Sequence, residues 1–296
     1  MVIKRKVNED KVFDIINYTM LAFITLVVLY PLYFMIIASF SDPTLVALGK
    51  VWILPKSITF EGYARIFSDN TIWTGYKNSI LYAGLGALIS VVMTVTAAYP
   101  LSRKDFYGRG FFMAVFMLTM FLGGGLIPTY LLVKNLKMTG TIWALVLPGA
   151  VSVFNLIITR TFFVTSIPDE LREAASIDGC SDLVFFTKIV IPLSKPIIAV
   201  LSLYTIVGQW NVFFDALIYL NKETMYPLQL ILRNILIQAE PQKGMVADVQ
   251  TLMAKQRAKE LIQYGVIIVS TVPLLIIYPF IQKYFVKGVM IGSIKG

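Results

Sequence analysis

Six apolar stretches, each close to the about 20 residues that carry a helix across a bilayer, alternate with polar segments along the chain. They run from Tyr18 to Ser39, Ser79 to Leu101, Phe111 to Val133, Ile142 to Phe163, Pro196 to Leu220 and Leu261 to Gln282. In hydrocarbon every backbone N–H and C=O must be paired within the chain, so stretches of this length predict helices. The expected fold class is an all-α integral membrane protein, one transmembrane domain over residues 1–296 with six spans. Two polar segments stand apart from simple connections. One, 168–192, lies between the fourth and fifth stretches and is short, charged and helix-forming; the other, 221–260, is a long polar loop with Gly244 between helix-favouring runs.

An even number of spans puts both termini on one side. The short loop Ser102 to Gly110 carries Arg103, Lys104 and Arg109, whereas Asn135 to Thr141 carries only Lys137. The positive-inside rule therefore places the first loop in the cytoplasm. Lys4, Arg5, Lys6 and Lys11 near the N-terminus and Lys283, Lys287 and Lys295 near the C-terminus agree. Both termini and the 168–192 hairpin are then expected inside, and 221–260 outside. The first apolar run exceeds the roughly 7 to 15 residues of a signal-peptide core and no small-x-small site follows it, so an uncleaved first span is expected.

Within the hairpin, Pro168 suits a first helical turn, and Asp169 and Glu170 favour the positive end of a helix dipole. Leu171, Ala174, Ala175 and Asp178 recur at helical spacing on one face, where the two alanines permit close approach. Gly179 can adopt the left-handed conformation that stops a helix. Ser181 can then cap a second helix with Leu183, Phe186 and Ile189 or Val190 on its apolar edge, and Pro192 is expected to end it. Such a helix, turn, helix element serves either as a docking site for a soluble partner or as an interfacial connection between two spans.

Composition narrows the chemistry. Of the 296 residues 57% are hydrophobic and 15% charged, and the net charge of +9 is spread between apolar runs without a basic, aromatic-interleaved stripe, so no nucleic-acid partner is expected. Histidine is absent and Cys180 is the single cysteine, which excludes His-based acid–base catalysis, His/Cys metal sites and intrachain disulfides. Neither Gly49-Lys50 nor Gly123-Gly124-Gly125 has the spacing of a nucleotide-binding P-loop. The chain is expected to be no enzyme, with no catalytic or metal-binding residues.

Asp215 is the charge expected inside a span, where it must face a cavity or partner rather than lipid. Tyr204, Gly208, Asn211, Asp215 and Tyr219 fall at three- and four-residue steps on the fifth stretch, flanked by Trp210 and Phe214. Aromatic faces with amide and carboxylate groups suit a sugar, and the same stripe suits polar contacts between helices. Gly123 to Gly125 with Pro128 predict a broken or closely packed third span, serving packing or substrate contact. The 221–260 loop is either solvated connection or a partner surface.

Glu173-Ala174-Ala175, Asp178-Gly179 and, after nine intervening residues, Ile189-x-Ile191-Pro192 resemble the E-A-A…G…I-x-L-P signature of binding-protein-dependent ABC importer permeases. Gly124 to Tyr130, Trp210-Asn211 and Phe285-Val286-Lys287-Gly288 are similar to stretches of the shorter permease subunit of the maltose-type carbohydrate group, especially relatives handling complex or uronic-acid oligosaccharides.

The resemblance implies a permease of the bacterial cytoplasmic (inner) membrane. Its hairpin would dock in a cleft of a separate ATPase, with Glu173, Ala174, Ala175, Asp178, Gly179, Ile189 and Pro192 as coupling residues. It implies two ATPase subunits that use ATP and Mg, no cofactor on this chain, and a second, different permease subunit. An extracellular or periplasmic solute-binding protein would meet the region Gln242 to Thr251, and the cargo would be an oligosaccharide. The competing expectation is a secondary transporter driven by an ion gradient, with Asp215 as its proton or ion site.

Overall fold

The computed structural model of the chain describes residues 2–238, 257, 260 and 262–279, and every regular element among them is helical. The segment Gln242 to Thr251 and the tail Phe285 to Gly288 lie outside the described residues. Two compact units divide the chain: 1–69 with 235–271, and 70–234 with 272–296.

In the first unit, α1 (Val2–Ser39) is followed by α2 (Pro43–Ala47) and α3 (Glu61–Ser68). From Lys11 to Ser39 α1 is strongly apolar yet exposed along most of its length, with burial confined to Ile37, Ala38 and Ser39 at its end, as befits a helix whose side chains face lipid or another chain. Its C-terminal end is anchored by rings. Tyr63 stacks on Phe40 at 5.1 Å, Phe34 meets Tyr264 edge-on at 6.2 Å, and the Tyr63 hydroxyl donates to Ser39 Oγ at 2.9 Å.

The second unit is organised around α4 (Asn70–Ser102). One face of this long helix is made of small residues, with Gly75, Ser79, Ala83, Gly86, Ala87, Ser90, Thr94 and Ala98 all buried. Lipid tails are as apolar as leucine, so helices here gain from close approach and hydrogen bonds rather than from expelling water. A Cβ at Gly86 would sit 2.9 Å from the Gln209 side chain. Thr205 Oγ1 donates to Ser90 Oγ at 3.2 Å, the Leu228 N–H to Ser79 Oγ at 2.9 Å, and the Tyr82 hydroxyl to the Met225 carbonyl at 2.7 Å.

Further along run α5 (Arg109–Phe121), α6 (Leu126–Asn135), α7 (Trp143–Val146), α8 (Val153–Ser166), α9 (Asp169–Ile177), α10 (Asp182–Phe185), α11 (Ile191–Leu193), α12 (Lys195–Trp210), α13 (Phe214–Tyr219) and α14 (Leu228–Gln238). The last described helix is α15 (Ile262–Pro279). Three of the expected spans are thus single long helices, α1, α4 and α15. The other three stretches are interrupted, each for a local reason.

The third stretch bends by 114° between α5 and α6. Gly125 caps α6 at φ 79°, ψ 174°, a region that glycine alone occupies without strain. A Cβ on Gly123 or Gly125 would meet nothing within 4 Å, so these glycines break the helix rather than admit a close neighbour from within the chain. The fourth stretch, expected as one span, stops at Val146 and restarts at Val153. Pro148 and Gly149 lie between, and Ser152 starts the new helix by accepting from the Asn155 N–H at 3.5 Å. In the fifth, Asn211 Nδ2 donates to the Val207 carbonyl at 2.8 Å and ends α12, and α13 begins three residues later.

Candidate functional site

The 168–192 hairpin is built as a short helix, a glycine turn and a second helix. Pro168, expected in the first turn, sits one position earlier as the N-cap of α9, with Asp169 and Glu170 following it at the positive end of the dipole. The turn is a complete Schellman motif: the Cys180 N–H donates to the Ala175 carbonyl at 2.9 Å and the Gly179 N–H to the Ser176 carbonyl at 3.1 Å. Gly179 has φ +72°, the left-handed conformation the motif requires. Ser181 Oγ then accepts from the Val184 N–H at 3.4 Å and starts α10.

Pro192 lies one residue before the end of this second helix at Leu193, close to where the sequence places that end. Its missing N–H and its ring, which crowds the carbonyl four residues back, are absorbed by a π-turn over Phe186–Val190, where the Ile191 N–H reaches the Phe186 carbonyl. The helix continues to Leu193 and bends by 74° at Ser194 into α12.

The two alanines part company. Ala175 is 8% exposed and belongs to the apolar core formed with Phe185 and Val190 of the hairpin, Ala98 and Leu101 of α4 and Phe163 of α8. Its role is to root α9 in the unit, which corrects the expectation that both alanines share a docking face. Residues one step apart on a helix point about 100° apart, so Ala174 faces outward while Ala175 faces in. Glu173, Ala174, Asp178 and Gly179 are exposed, together with Ile177 at 86% and Leu183 at 72%. Ile189 is half-buried against the core, and Pro192 is exposed.

Around the base of α9 lies a charge cluster that the sequence reading did not assemble. Arg172 bridges two carboxylates, with Nη1 2.5 Å from Asp105 Oδ2 and Nη2 3.3 Å from Asp182 Oδ1. Asp169 lies 3.0 Å from Lys104 Nζ and 3.4 Å from Arg103 Nη1. The Arg172 hydrogen bond holds the Asp105 carboxyl below the usual carboxylate range, and the same contact raises Arg172. Lys104 lowers Asp169 in the same way. These groups line an open cavity of about 680 Å³ that also reaches Glu173 and Cys180. Opposite charges in two loops assigned to one side of the membrane were the signal available beforehand.

The seven pathway candidates do not form one stripe, because the helix break at Asn211 removes the continuous register on which the stripe depends. Tyr204 and Gly208 line a cavity of about 390 Å³ with Ser90, Asn155, Thr205 and Gln209. Gln209 Nε2 donates to the Leu145 carbonyl at 3.3 Å, while its Oε1 has no hydrogen-bond partner among the described residues. Trp210 is 2% exposed and packs on Tyr76 at 6.1 Å. Tyr219 is 3% exposed and its ring stacks on Tyr130 at 6.0 Å. Both are core residues of the unit. Asn211 is the C-cap of α12, Phe214 is exposed, and Asp215 is half-buried in the first turn of α13.

Asp215 is also not the one charge within the apolar stretches. Arg160 lies inside the fourth stretch, half-buried, and its Nε donates to the Leu101 carbonyl at 2.9 Å, satisfying the last turn of α4. A cation at the negative end of a helix dipole is favourable, which accounts for a charge at this depth.

Residues 71–291 match the family described as "Binding-protein-dependent transport system inner membrane component". The chain is 38% identical over 288 residues to the polygalacturonan/rhamnogalacturonan transport system permease protein YtcP of Bacillus subtilis (strain 168), covering 97% of this chain and 100% of the relative. It is 38% identical over 289 residues to Protein LplC of the same organism, covering 98% and 97%. Among solved structures it is similar to a bacterial ABC transporter involved in the import of the acidic polysaccharide alginate. The TM-score is 0.84 at 32% sequence identity, covering 94% of this chain and 98% of that one.

Proposed function

The chain belongs to the binding-protein-dependent transport system inner membrane components, membrane permeases and not enzymes, and from that premise we propose that it is one permease subunit of an ATP-driven importer of acidic oligosaccharides. The observation that carries the coupling half of this reading is the 168–192 hairpin. Its inner face is rooted in the unit's core through Ala175, Phe185 and Val190, while Glu173, Ala174, Asp178 and Gly179 are presented outward. Such an element moves its own transmembrane helices when a docked partner moves it.

In this reading residues 1–296 act as one permease domain, with both termini and the hairpin in the cytoplasm. A second, different permease completes the pathway. Two ATPase subunits bind ATP and Mg, and an extracellular or periplasmic solute-binding protein delivers cargo towards the 221–260 side. The cargo half is supported by the named substrates of the relatives: polygalacturonan, rhamnogalacturonan and alginate are all polymers containing uronic acids. The cavity at Tyr204, Gly208 and Gln209 supplies hydroxyl, amide and aromatic groups of the kind that hold sugars. Thermal stabilisation of the cognate binding protein by a panel of neutral and uronic-acid oligosaccharides tests the cargo. Stabilisation by the acidic members is expected, and a response confined to neutral sugars contradicts it.

A further inference from the structure

We propose that Asp105 and Arg172 are the centre of an ionic clamp that ties the coupling hairpin to the C-terminal end of α4, making α4 a second output of hairpin movement beside α12. The proposal rests on the hairpin being the ATPase-docking element. From α10 the backbone runs through α11 and a 74° bend directly into α12, so α12 is joined covalently to the hairpin. The loop after α4 has no such link, since Asp105 and Arg172 are 67 residues apart in the chain. Charges cross that gap at three successive residues of the loop: Arg103 and Lys104 to Asp169, and Asp105 to Arg172.

Arg172 is held in turn by Asp182 at the start of α10, so both helices of the hairpin are engaged through one guanidinium. Arg103 is the loosest member. Its Nε has no hydrogen-bond partner among the described residues, and its one contact with the hairpin is Nη1 to Asp169 Oδ1 at 3.4 Å.

The held end of α4 leads to the 390 Å³ cavity. Arg160 donates to the Leu101 carbonyl and stiffens the last turn. From Leu101 to Ser90 is about 16 Å along a helix at roughly 1.5 Å per residue. Ser90 lines the 390 Å³ cavity and is hydrogen-bonded to Thr205 of α12. Displacing α4 relative to α12 must therefore change the wall of that cavity. Asp105 and Arg172 act as positioning residues, since neither lines the cavity.

The test uses the complete transporter in proteoliposomes, with Cys180→Ser so that an introduced cysteine is this chain's only thiol. Ser90→Cys reports on α4 and Tyr204→Cys on α12, each by its rate of maleimide labelling with and without ATP. With the clamp intact, ATP is expected to change both rates by roughly fivefold or more. Asp105→Asn should reduce the change at Ser90→Cys, where the packing of Ala175 and Phe185 against Ala98 and Leu101 remains, keep it at Tyr204→Cys and lower uptake per ATP hydrolysed, and Asp105→Glu should restore all three. An unaltered ATP response at Ser90→Cys in Asp105→Asn overturns the clamp. If Asp105→Asn fails to assemble, Asp182→Asn is expected to give a weaker loss of the same kind, and a full response there overturns it equally. Absence of any ATP response at both positions with the clamp intact overturns the docking reading on which the proposal rests.

Discussion

At the scale of single residues, Gly179 carries the sharpest demand. A Cβ there would meet nothing within 4 Å, so the penalty for replacing it is conformational alone, roughly 1 to 2 kcal/mol for a left-handed non-glycine residue. Gly179→Leu is therefore expected to insert normally, by immunoblot of membranes, while ATP-driven uptake falls roughly tenfold, the factor that about 1.4 kcal/mol carries. Uptake at the unsubstituted level would remove the turn from the coupling route.

Asp105 makes a prediction about pH. Its carboxyl is lowered chiefly by the Arg172 hydrogen bond, so the tie contributes fully above the ordinary aspartate range and is lost only as pH falls through the lowered value. Arg103, Lys104, Arg172, Asp169 and Asp182 all face the cluster. The carboxylate infrared band lost in Asp105→Asn should titrate below about pH 3.9, and a midpoint above it contradicts the tie. Because Asp105 and Arg172 are 53% and 30% exposed, the pair adds at most about 1 kcal/mol to stability; its value lies in orientation. Gly179 was legible from its place after Glu173-Ala174-Ala175. Asp105 was not, because its partner is 67 residues away and no local period joins them.

At the scale of elements, the apolar runs told where helices lie but not where they break. Hydropathy averages over about 19 residues, so the pair Pro148-Gly149 and the single Asn211 vanish inside runs that still score as spans. The triplet Gly123 to Gly125 was legible as a break because three glycines together outweigh their neighbours. Asn211 was not, because its effect depends on an amide turning back to the Val207 carbonyl at 2.8 Å. The stripe built on the fifth stretch failed for that reason. Of the seven, only Tyr204 and Gly208, both before the break, line the 390 Å³ cavity. The break between α5 and α6 yields a stability prediction. Gly125→Val places a β-branched residue at φ 79°, ψ 174° and should cost about 1 to 3 kcal/mol, visible as a lower unfolding midpoint in detergent. An unchanged midpoint would mean that the bend is not fixed by that glycine.

For the whole molecule, 57% hydrophobic composition and the spacing of apolar runs were enough to read an all-helical membrane protein, and the family match agrees. Orientation is a separate matter, resting on Arg103, Lys104 and Arg109 against Lys137. In intact cells of a Cys180→Ser strain, Tyr107→Cys, 98% exposed in the unsubstituted chain, should resist an impermeant thiol reagent, and Lys137→Cys should react. The reverse pattern would turn the protein over in the membrane. Apolar surface along α1 is left exposed, and what covers it is not written in one chain's sequence. An ion-gradient mechanism centred on Asp215 is the alternative to ATP drive. The decisive measurement is uptake of a uronic-acid oligosaccharide into vesicles holding this chain with its partner permease, ATPase and binding protein. Uptake is expected to need ATP and the ATPase, to survive collapse of ion gradients and to fall roughly tenfold in Gly179→Leu; uptake that persists without the ATPase and stops when the gradient is dissipated would contradict ATP drive.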